Sequence, residues 1–193
     1  IGTDAAFFDR LRAGGVAVCA FNPVNPVERL GFWGINRRDH RKLLVVDDDW
    51  AYTGGINISR VYGSSSFGRR SKAKEDSANQ DGWRDTQIEL AGPVVPVLAR
   101  EFAAAWKDQG CIGELKAPPP PRTATPGQRV VNVLASDPRD ETNRIYTSLI
   151  QAIAASQRSV YLTMAYFAPG DEFAGALADA ARRGVTVELV LPG

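Results

Sequence analysis

Apolar and polar residues alternate along this chain with two different periods, one typical of strands and one typical of helices. Leu43–Val46 and residues 50–53 are short apolar runs separated by three aspartates, which predicts a β-hairpin with its turn at residues 47–49. Across residues 93–106, apolar side chains recur at the spacing of one helix face, and Pro93 suits a first helical turn. The chain therefore contains both kinds of element in its first half.

The same patterns extend over the rest of the chain. Strands that alternate with helices argue for an α/β fold, with a mixed sheet flanked by helices. Helices are predicted near residues 7–12, 141–156 and 172–183, and strands near residues 16–21, 86–90, 129–134, 159–164 and 186–191.

Composition and charge narrow the class of protein. The 193 residues are 44% apolar and 23% charged, as in ordinary globular proteins, and this length suits one or two small domains. The net charge of +1 makes nucleic acid an unexpected partner. Two cysteines are too few for a disulfide scaffold, so Cys19, inside a predicted strand, is interpreted as a small core residue.

A proline-rich stretch divides the chain. Residues 118–121 are four consecutive prolines, which favour an extended spacer without a core of its own. We therefore expect a first domain at residues 1–114, a linker at residues 115–127 and a second domain at residues 128–193.

The candidate chemistry lies beside the predicted hairpin. His40 and Lys42 precede its first strand, and in an extended segment their side chains point the same way. Gly54 and Gly55, which lack a Cβ, allow a ligand or a second backbone to approach closely, and Asn57 can donate hydrogen bonds without adding charge. A base or nucleophile beside an ammonium suits a phosphate substrate. The alternative is a hairpin with an ordinary polar rim.

This arrangement resembles a known motif. His40-x-Lys42-x4-Asp47, followed by Gly54-Gly55, resembles the HKD motif of the phospholipase D superfamily. The resemblance covers nearly the whole chain. Segments that look like those of bacterial cardiolipin synthases occur at residues 21–23, 39–42, 55–59, 82–86 and 166–169.

The resemblance implies a phospholipase D-like fold built from repeats. Residues 1–114 look like the back half of a first repeat, and residues 128–193 look like the front half of a second. The chain has a single histidine, whereas the family chemistry needs two. We therefore expect an internal segment of a longer protein, with a second HKD motif supplied by a C-terminal part or by a second chain.

The resemblance also implies a two-step transfer that uses neither a metal nor an organic cofactor. One histidine becomes a phosphohistidine, and the other protonates the leaving alcohol and then activates the acceptor. His40 is either of these, while Lys42, Asn57, Gly54 and Gly55 bind phosphate oxygens. Asp47 is a catalytic candidate by its place in the motif.

Two acidic residues need separate comment. Asp47 lies an odd number of residues from the histidine, so a structural role at the turn is equally open. Asp85 is expected to orient the imidazole by accepting its second N–H, with a turn or helix cap as the alternative. Asp39 would point away from the imidazole.

Basic and aromatic residues near the histidine suggest an amphiphilic substrate. Arg37, Arg38 and Arg41 would concentrate phosphate, and Phe32 and Trp33 lie just upstream. Ordinary core packing explains the aromatic pair equally well. Residues 62–81 are polar and serine-rich, and we interpret them as a long surface loop whose basic half contacts an anionic membrane surface or is simply solvated.

Three functions remain open from the sequence. The preferred one is a phosphatidyltransferase of the cardiolipin synthase type, acting on a phosphatidylglycerol-like phospholipid. The second is a phosphodiesterase or nuclease of the same superfamily that uses water. The third is an inactive half-site that binds phosphate or lipid. The expected location is cytoplasmic or membrane-associated, at the bacterial inner membrane for the longer protein.

Overall fold

The computed structural model describes residues 4–21, 39–58, 85–111, 113, 115, 128–137 and 142–191. It divides the chain into two compact units, Ile1–Val133 and Leu134–Gly193. The proline-rich stretch, the loop at residues 62–81 and the upstream aromatic and arginine residues 32–38 lie outside the described residues. The division of the chain into halves of two repeats stays a prediction.

The first unit contains a three-stranded antiparallel sheet in the order β1-β2-β3. Helices flank the strands in sequence, and every strand pairs with its neighbour along the chain. The elements are α1 (Ala5–Ala13), β1 (Leu43–Val46), β2 (Trp50–Gly54), β3 (Gln87–Ala91) and α2 (Val95–Asp108).

The hairpin predicted from the sequence is confirmed at its turn. Asp47 and Asp48 have φ of 54° and 55°, and the Asp49 N–H donates to the Val46 carbonyl at 3.1 Å. Two successive residues of positive φ match the twist of the flanking strands, and aspartate tolerates this conformation better than most residues. Three aspartates at this point therefore specify a tight reversal.

One face of this sheet packs on α2. Ala51 and Val95 are fully buried there, and Leu98 packs with them. On the other face, Leu44 is 55% exposed and Trp50 is 45% exposed. Among the described residues, the first unit therefore buries its core on one side of the sheet.

The start of α2 corrects one detail of the prediction. Gly92 has a φ of 90°, and the Val95 N–H donates to the Gly92 carbonyl at 3.0 Å. The chain thus turns through Pro93 before the helix begins, and Pro96 is the proline in its first turn.

The second unit pairs two parallel strands with two helices. Its elements are α3 (Arg144–Ala155), β4 (Ser159–Thr163), α4 (Asp171–Arg182) and β5 (Thr186–Val190). All four lie within about three residues of their predicted positions, because each has a clear apolar period. The buried cluster consists of Ile153, Phe173, Leu177, Ala180 and Val185.

Two predicted strands are absent from the described residues. Residues 16–20 and 129–134 form no sheet, and Val130 is 90% exposed. A short apolar run becomes a strand only where a partner strand satisfies its backbone groups, and periodicity does not report the partner. The α/β class itself is confirmed, and the described strands form one antiparallel and one parallel sheet.

The interpretation of Cys19 as a core residue was wrong. Cys19 is bonded to Cys111, 92 residues away in sequence, with their Cα atoms 5.7 Å apart. The bond joins the segment after α1 to the residues that follow α2. Sequence spacing gave no sign of it, because tertiary packing brings the two residues together.

Candidate functional site

The predicted site residues surround one end of the three-stranded sheet. Leu43 pairs with Thr53, and Gly54 pairs with Gln87. Because the strands are antiparallel, the residues before β1, after β2 and before β3 meet at the same end. Neighbouring strands lie about 4.8 Å apart, so the segments that carry His40 and Asp85 are separated by roughly 10 Å.

His40 and Lys42 are held together directly. The Lys42 Nζ donates a hydrogen bond to the His40 carbonyl at 2.7 Å, and the His40 residue is exposed. The ammonium therefore lies close to the backbone that carries the imidazole. That the two side chains point the same way stays a prediction.

Arg41 lies between them and is held by two carboxylates. Its Nη2 lies 2.7 Å from Asp39 Oδ2, and its Nη1 lies 3.4 Å from Glu101 Oε2 on α2. Since α2 covers one face of the sheet, the Arg41 side chain points toward that face. The expectation that Arg41 concentrates phosphate is corrected, because its guanidinium is engaged with two carboxylates.

The ion pair also acts on Asp39. The hydrogen bond from the Arg41 side chain holds the pKa of Asp39 below its ordinary value, although partial burial opposes that shift. Asp39 is therefore a carboxylate paired with Arg41, and the charge of His40 also lowers its pKa.

The glycine pair is packed against the start of β3. A Cβ on Gly54 would lie 2.2 Å from the Thr86 carbonyl oxygen, and one on Gly55 would lie 2.3 Å from Asp85 Oδ1. The Gly55 N–H donates to the Thr86 carbonyl at 3.1 Å. Of the two interpretations of these glycines, the structure favours close approach of a second backbone, and their role in phosphate binding stays a prediction.

The same contacts locate Asp85. Its carboxylate lies against the Gly55 backbone, at the end of the sheet where His40 is also found. A hydrogen bond that orients the imidazole stays a prediction. Asn57 is exposed and follows β2 at this same end, and its contact to a phosphate stays a prediction.

Asp47 lies apart from the other candidates. It occupies the turn that follows β1, whereas Lys42 precedes that strand. Five residues of extended chain span roughly 17 Å, so Asp47 and Lys42 are at opposite ends of β1. This position favours the structural role at the turn over contact with substrate.

Sequence reasoning missed the carboxylate on α2 and the cavity beside it. Glu101 was one of several polar residues on a predicted helix, and nothing in the motif pointed to it. A cavity of about 240 Å³ adjoins the Arg41 ion pairs and the disulfide. It is lined mainly by Phe21, Leu43, Phe102, Trp106, Cys19 and Cys111.

Comparisons with known proteins agree with the motif. A family model described as "Cardiolipin synthase, PLD-like domain" matches residues 149–193, in the second unit. Cardiolipin synthase A of Pseudomonas syringae is 33% identical over 187 residues, which is 97% of this chain and 36% of that protein. Cardiolipin synthase A of Proteus mirabilis is 31% identical over 190 residues, and cardiolipin synthase 1 of Staphylococcus aureus is 29% identical over 191.

The matches to these relatives cover only part of each relative. The chain spans about a third of the length of these relatives, at 36% of each. No solved structure gives a significant match. Within the described part of the chain, none of the helices has the length and apolar character of a membrane span.

The relatives match across both units, and the family model matches within the second. The first unit contributes a histidine, a lysine and a glycine pair at one end of an antiparallel sheet, in the spacing of the HKD motif. The chain is therefore similar to the bacterial cardiolipin synthases across both units, and its second unit matches their phospholipase D-like domain.

Proposed function

We propose that this chain is part of a phosphatidyltransferase of the cardiolipin synthase type, with His40 as one of its two catalytic histidines. The observation that carries the proposal is the pairing of His40 with Lys42 at the sheet end where Asn57 and Asp85 also lie. Relatives named cardiolipin synthase match 95–97% of the chain, which supports the same reaction class.

The proposed reaction has two balanced steps. A histidine nitrogen attacks the phosphorus of phosphatidylglycerol, an N–P bond forms, and the P–O bond to glycerol breaks as the second histidine gives glycerol a proton. A hydroxyl of a second phosphatidylglycerol then loses its proton to that histidine and attacks the phosphorus. The N–P bond breaks, and cardiolipin leaves.

His40 takes either the nucleophilic or the proton-transfer role in this scheme. Lys42 and Asn57 stabilise the negative charge that develops on the phosphoryl oxygens, as fixed donors do in other sites of this kind. Asp85 accepts the second N–H of the imidazole and so presents its other nitrogen to phosphorus. No metal or organic cofactor takes part in the proposed steps.

A second candidate function follows from the single histidine. Because the reaction needs two imidazoles and the chain has one, the 193 residues alone are proposed to be a half-site that binds phosphate or anionic lipid without turnover. The second HKD motif would come from the remainder of a longer protein or from a second chain. The proposed partners are thus a phospholipid and the anionic surface that contains it.

The location is proposed to be membrane-associated, at the inner membrane of a bacterium. The Cys19–Cys111 bond supports placement of the first unit in an oxidising compartment, because structural disulfides are rare in the cytosol. This argues against the cytoplasmic alternative.

A product assay tests the reaction. The full-length protein is incubated with phosphatidylglycerol vesicles, and the products are separated. Cardiolipin and glycerol in equal amounts support transfer, whereas phosphatidic acid alone means that water is the acceptor. His40→Ala is expected to abolish turnover, and full activity in this variant would reject the catalytic assignment. Arg182→Ala, on the exposed side of α4, is the matched control and should retain activity.

The half-site proposal has its own test. Sedimentation equilibrium of the 193-residue chain establishes whether it is monomeric, and the same sample is assayed with phosphatidylglycerol. A monomer with turnover would contradict the requirement for a second histidine. Binding of inorganic phosphate that is lost in Lys42→Ala would support it.

A further inference from the structure

We infer that Arg41 is a positioning residue for His40, acting by tying the histidine segment to α2. This inference rests on the proposed function, because it assigns a part to a residue next to the proposed catalytic imidazole. The observation behind it is a chain of contacts, Asp39–Arg41–Glu101, that connects the motif to a helix sixty residues later.

The first link fixes the local backbone. The Arg41 Nε donates to Asp39 Oδ1 at 3.0 Å, and the Arg41 backbone N–H donates to the same oxygen at 2.9 Å. With Nη2 on Oδ2 at 2.7 Å, the guanidinium forms a two-pronged pair with the carboxylate. A fork of this kind is geometrically specific, so residues 39–41 are held in one conformation.

The second link fixes that segment to a rigid element. Glu101 lies one helical turn after Leu98, which is buried in the core with Val95. Residues three apart share a helix face, so Glu101 extends the packed face of α2 to the sheet end. A helix anchored by buried side chains is a firmer support than a loop.

The direction of His40 follows from the two links. In extended chain, neighbouring side chains point to opposite faces, so anchoring Arg41 toward α2 directs His40 to the other face. The hydrogen bond from Lys42 Nζ to the His40 carbonyl, at 2.7 Å, restrains the same peptide from the opposite side. The imidazole is thereby oriented through the backbone of its own segment.

The Arg41 ion pairs are expected to contribute little to the free energy of folding, as comparison with another exposed ion pair shows. Arg12 pairs with Asp9 at 2.9 Å within one turn of α1, and the pair is exposed. Exposed pairs contribute little to folding, and the Arg41 pairs are also partly exposed. Loss of Arg41 is therefore expected to change catalysis much more than stability.

The kinetic test uses the full-length protein with phosphatidylglycerol. Arg41→Gln and Glu101→Gln are each expected to lower kcat by about ten-fold or more with little change in KM, since small displacements of a reacting group cost about this much or more. The double variant should be no worse than Arg41→Gln alone, and Arg41→Lys should recover part of the rate. Arg12→Gln is the control and should behave as wild type.

Two kinetic outcomes would overturn the inference. Unchanged kcat in both variants would show that His40 does not depend on the contacts. A raised KM with unchanged kcat in Arg41→Gln would instead make Arg41 a substrate-binding cation.

A measurement independent of activity separates this inference from the proposed function. His40 is the only histidine of the 193-residue chain, so its imidazole Cε1–H gives a single NMR signal. Glu101→Gln leaves every residue next to His40 unchanged and is expected to shift or broaden that signal, whereas Asp9→Asn should not.

The two tests have distinct failures. If the wild-type full-length protein makes neither cardiolipin nor phosphatidic acid, the proposed function fails, and the NMR comparison still decides the positioning. An identical His40 signal in wild type and Glu101→Gln would overturn the positioning even if the enzyme is active.

Discussion

Loss of the Cys19–Cys111 bond is expected to destabilise the first unit strongly. The bond closes a loop of 92 residues. By limiting the entropy of the unfolded chain, a loop of that length raises the free energy of the unfolded state by about 4.6 kcal/mol at 25 °C. Loss of a native disulfide typically lowers the free energy of unfolding by about 2–5 kcal/mol. Since whole domains are stable by only about 5–15 kcal/mol, reduction should remove a large share of the unit's stability.

The assay exploits the distribution of tryptophan. All four tryptophans lie in residues 1–133, so their fluorescence reports the first unit alone, while far-ultraviolet circular dichroism reports both units. With a urea dependence of about 2 kcal/mol per molar, a loss of about 4 kcal/mol lowers the fluorescence midpoint by roughly 2 M. The experiment compares oxidised chain with chain in a thiol-free reductant.

Cysteine-to-alanine variants distinguish a disulfide between Cys19 and Cys111 from two unbonded cysteines in the core. If Cys19 and Cys111 are bonded, Cys19→Ala, Cys111→Ala and the double variant should lose similar stability, and reductant should have no further effect on any of them. Additive losses, together with no effect of reductant on wild type, would refute the bond and restore the interpretation of Cys19 as a core residue.

Four further predictions concern single positions. Gly54→Ala should lower the free energy of unfolding of the first unit by about 1–3 kcal/mol in urea melts, because the added Cβ would lie 2.2 Å from a backbone oxygen. The Cβ added in Gly55→Ala would contact only the movable Asp85 carboxylate, so this variant should lose less stability. Equal losses in the two variants would contradict this packing. Asp47→Asn should preserve transfer activity and stability, while Asp47→Val should lose about 1–3 kcal/mol because its φ is 54°; an inactive but stable Asp47→Asn would return this residue to the catalytic group. Leu177→Ala should cost the second unit about 2–5 kcal/mol, seen by circular dichroism but not by tryptophan fluorescence; a shifted fluorescence midpoint would show that the two units unfold together. The pKa of Asp39 is lowered in the folded chain, so its pairing stabilises the fold fully at pH values above its ordinary pKa of 3.8 and is lost as pH falls through the folded pKa. The difference in the free energy of unfolding between wild type and Asp39→Asn should therefore shrink below about pH 4. A difference that grows below about pH 4 would contradict this reasoning.

Much of the local structure follows from the sequence alone. The hairpin with its turn at residues 47–49 is found as predicted, and so are the elements of the second unit within a few residues. These succeed because apolar period and turn chemistry act between residues close in the chain. The HKD spacing is equally local, and the Lys42 Nζ lies 2.7 Å from the His40 carbonyl, while a shared direction of their side chains stays a prediction.

Tertiary structure decided what depends on distant partners. Residues 16–20 have the apolar character of a strand but pair with none of the described strands, and Cys19 in that segment is bonded to a residue 92 positions away. Arg41, which the sequence groups with phosphate-attracting cations, is drawn to Glu101 on α2. The sequence determined which residues carry the chemistry and the local form of their strands. Only the packing of a helix on the sheet determined that Arg41 points toward α2, because that contact joins segments sixty residues apart.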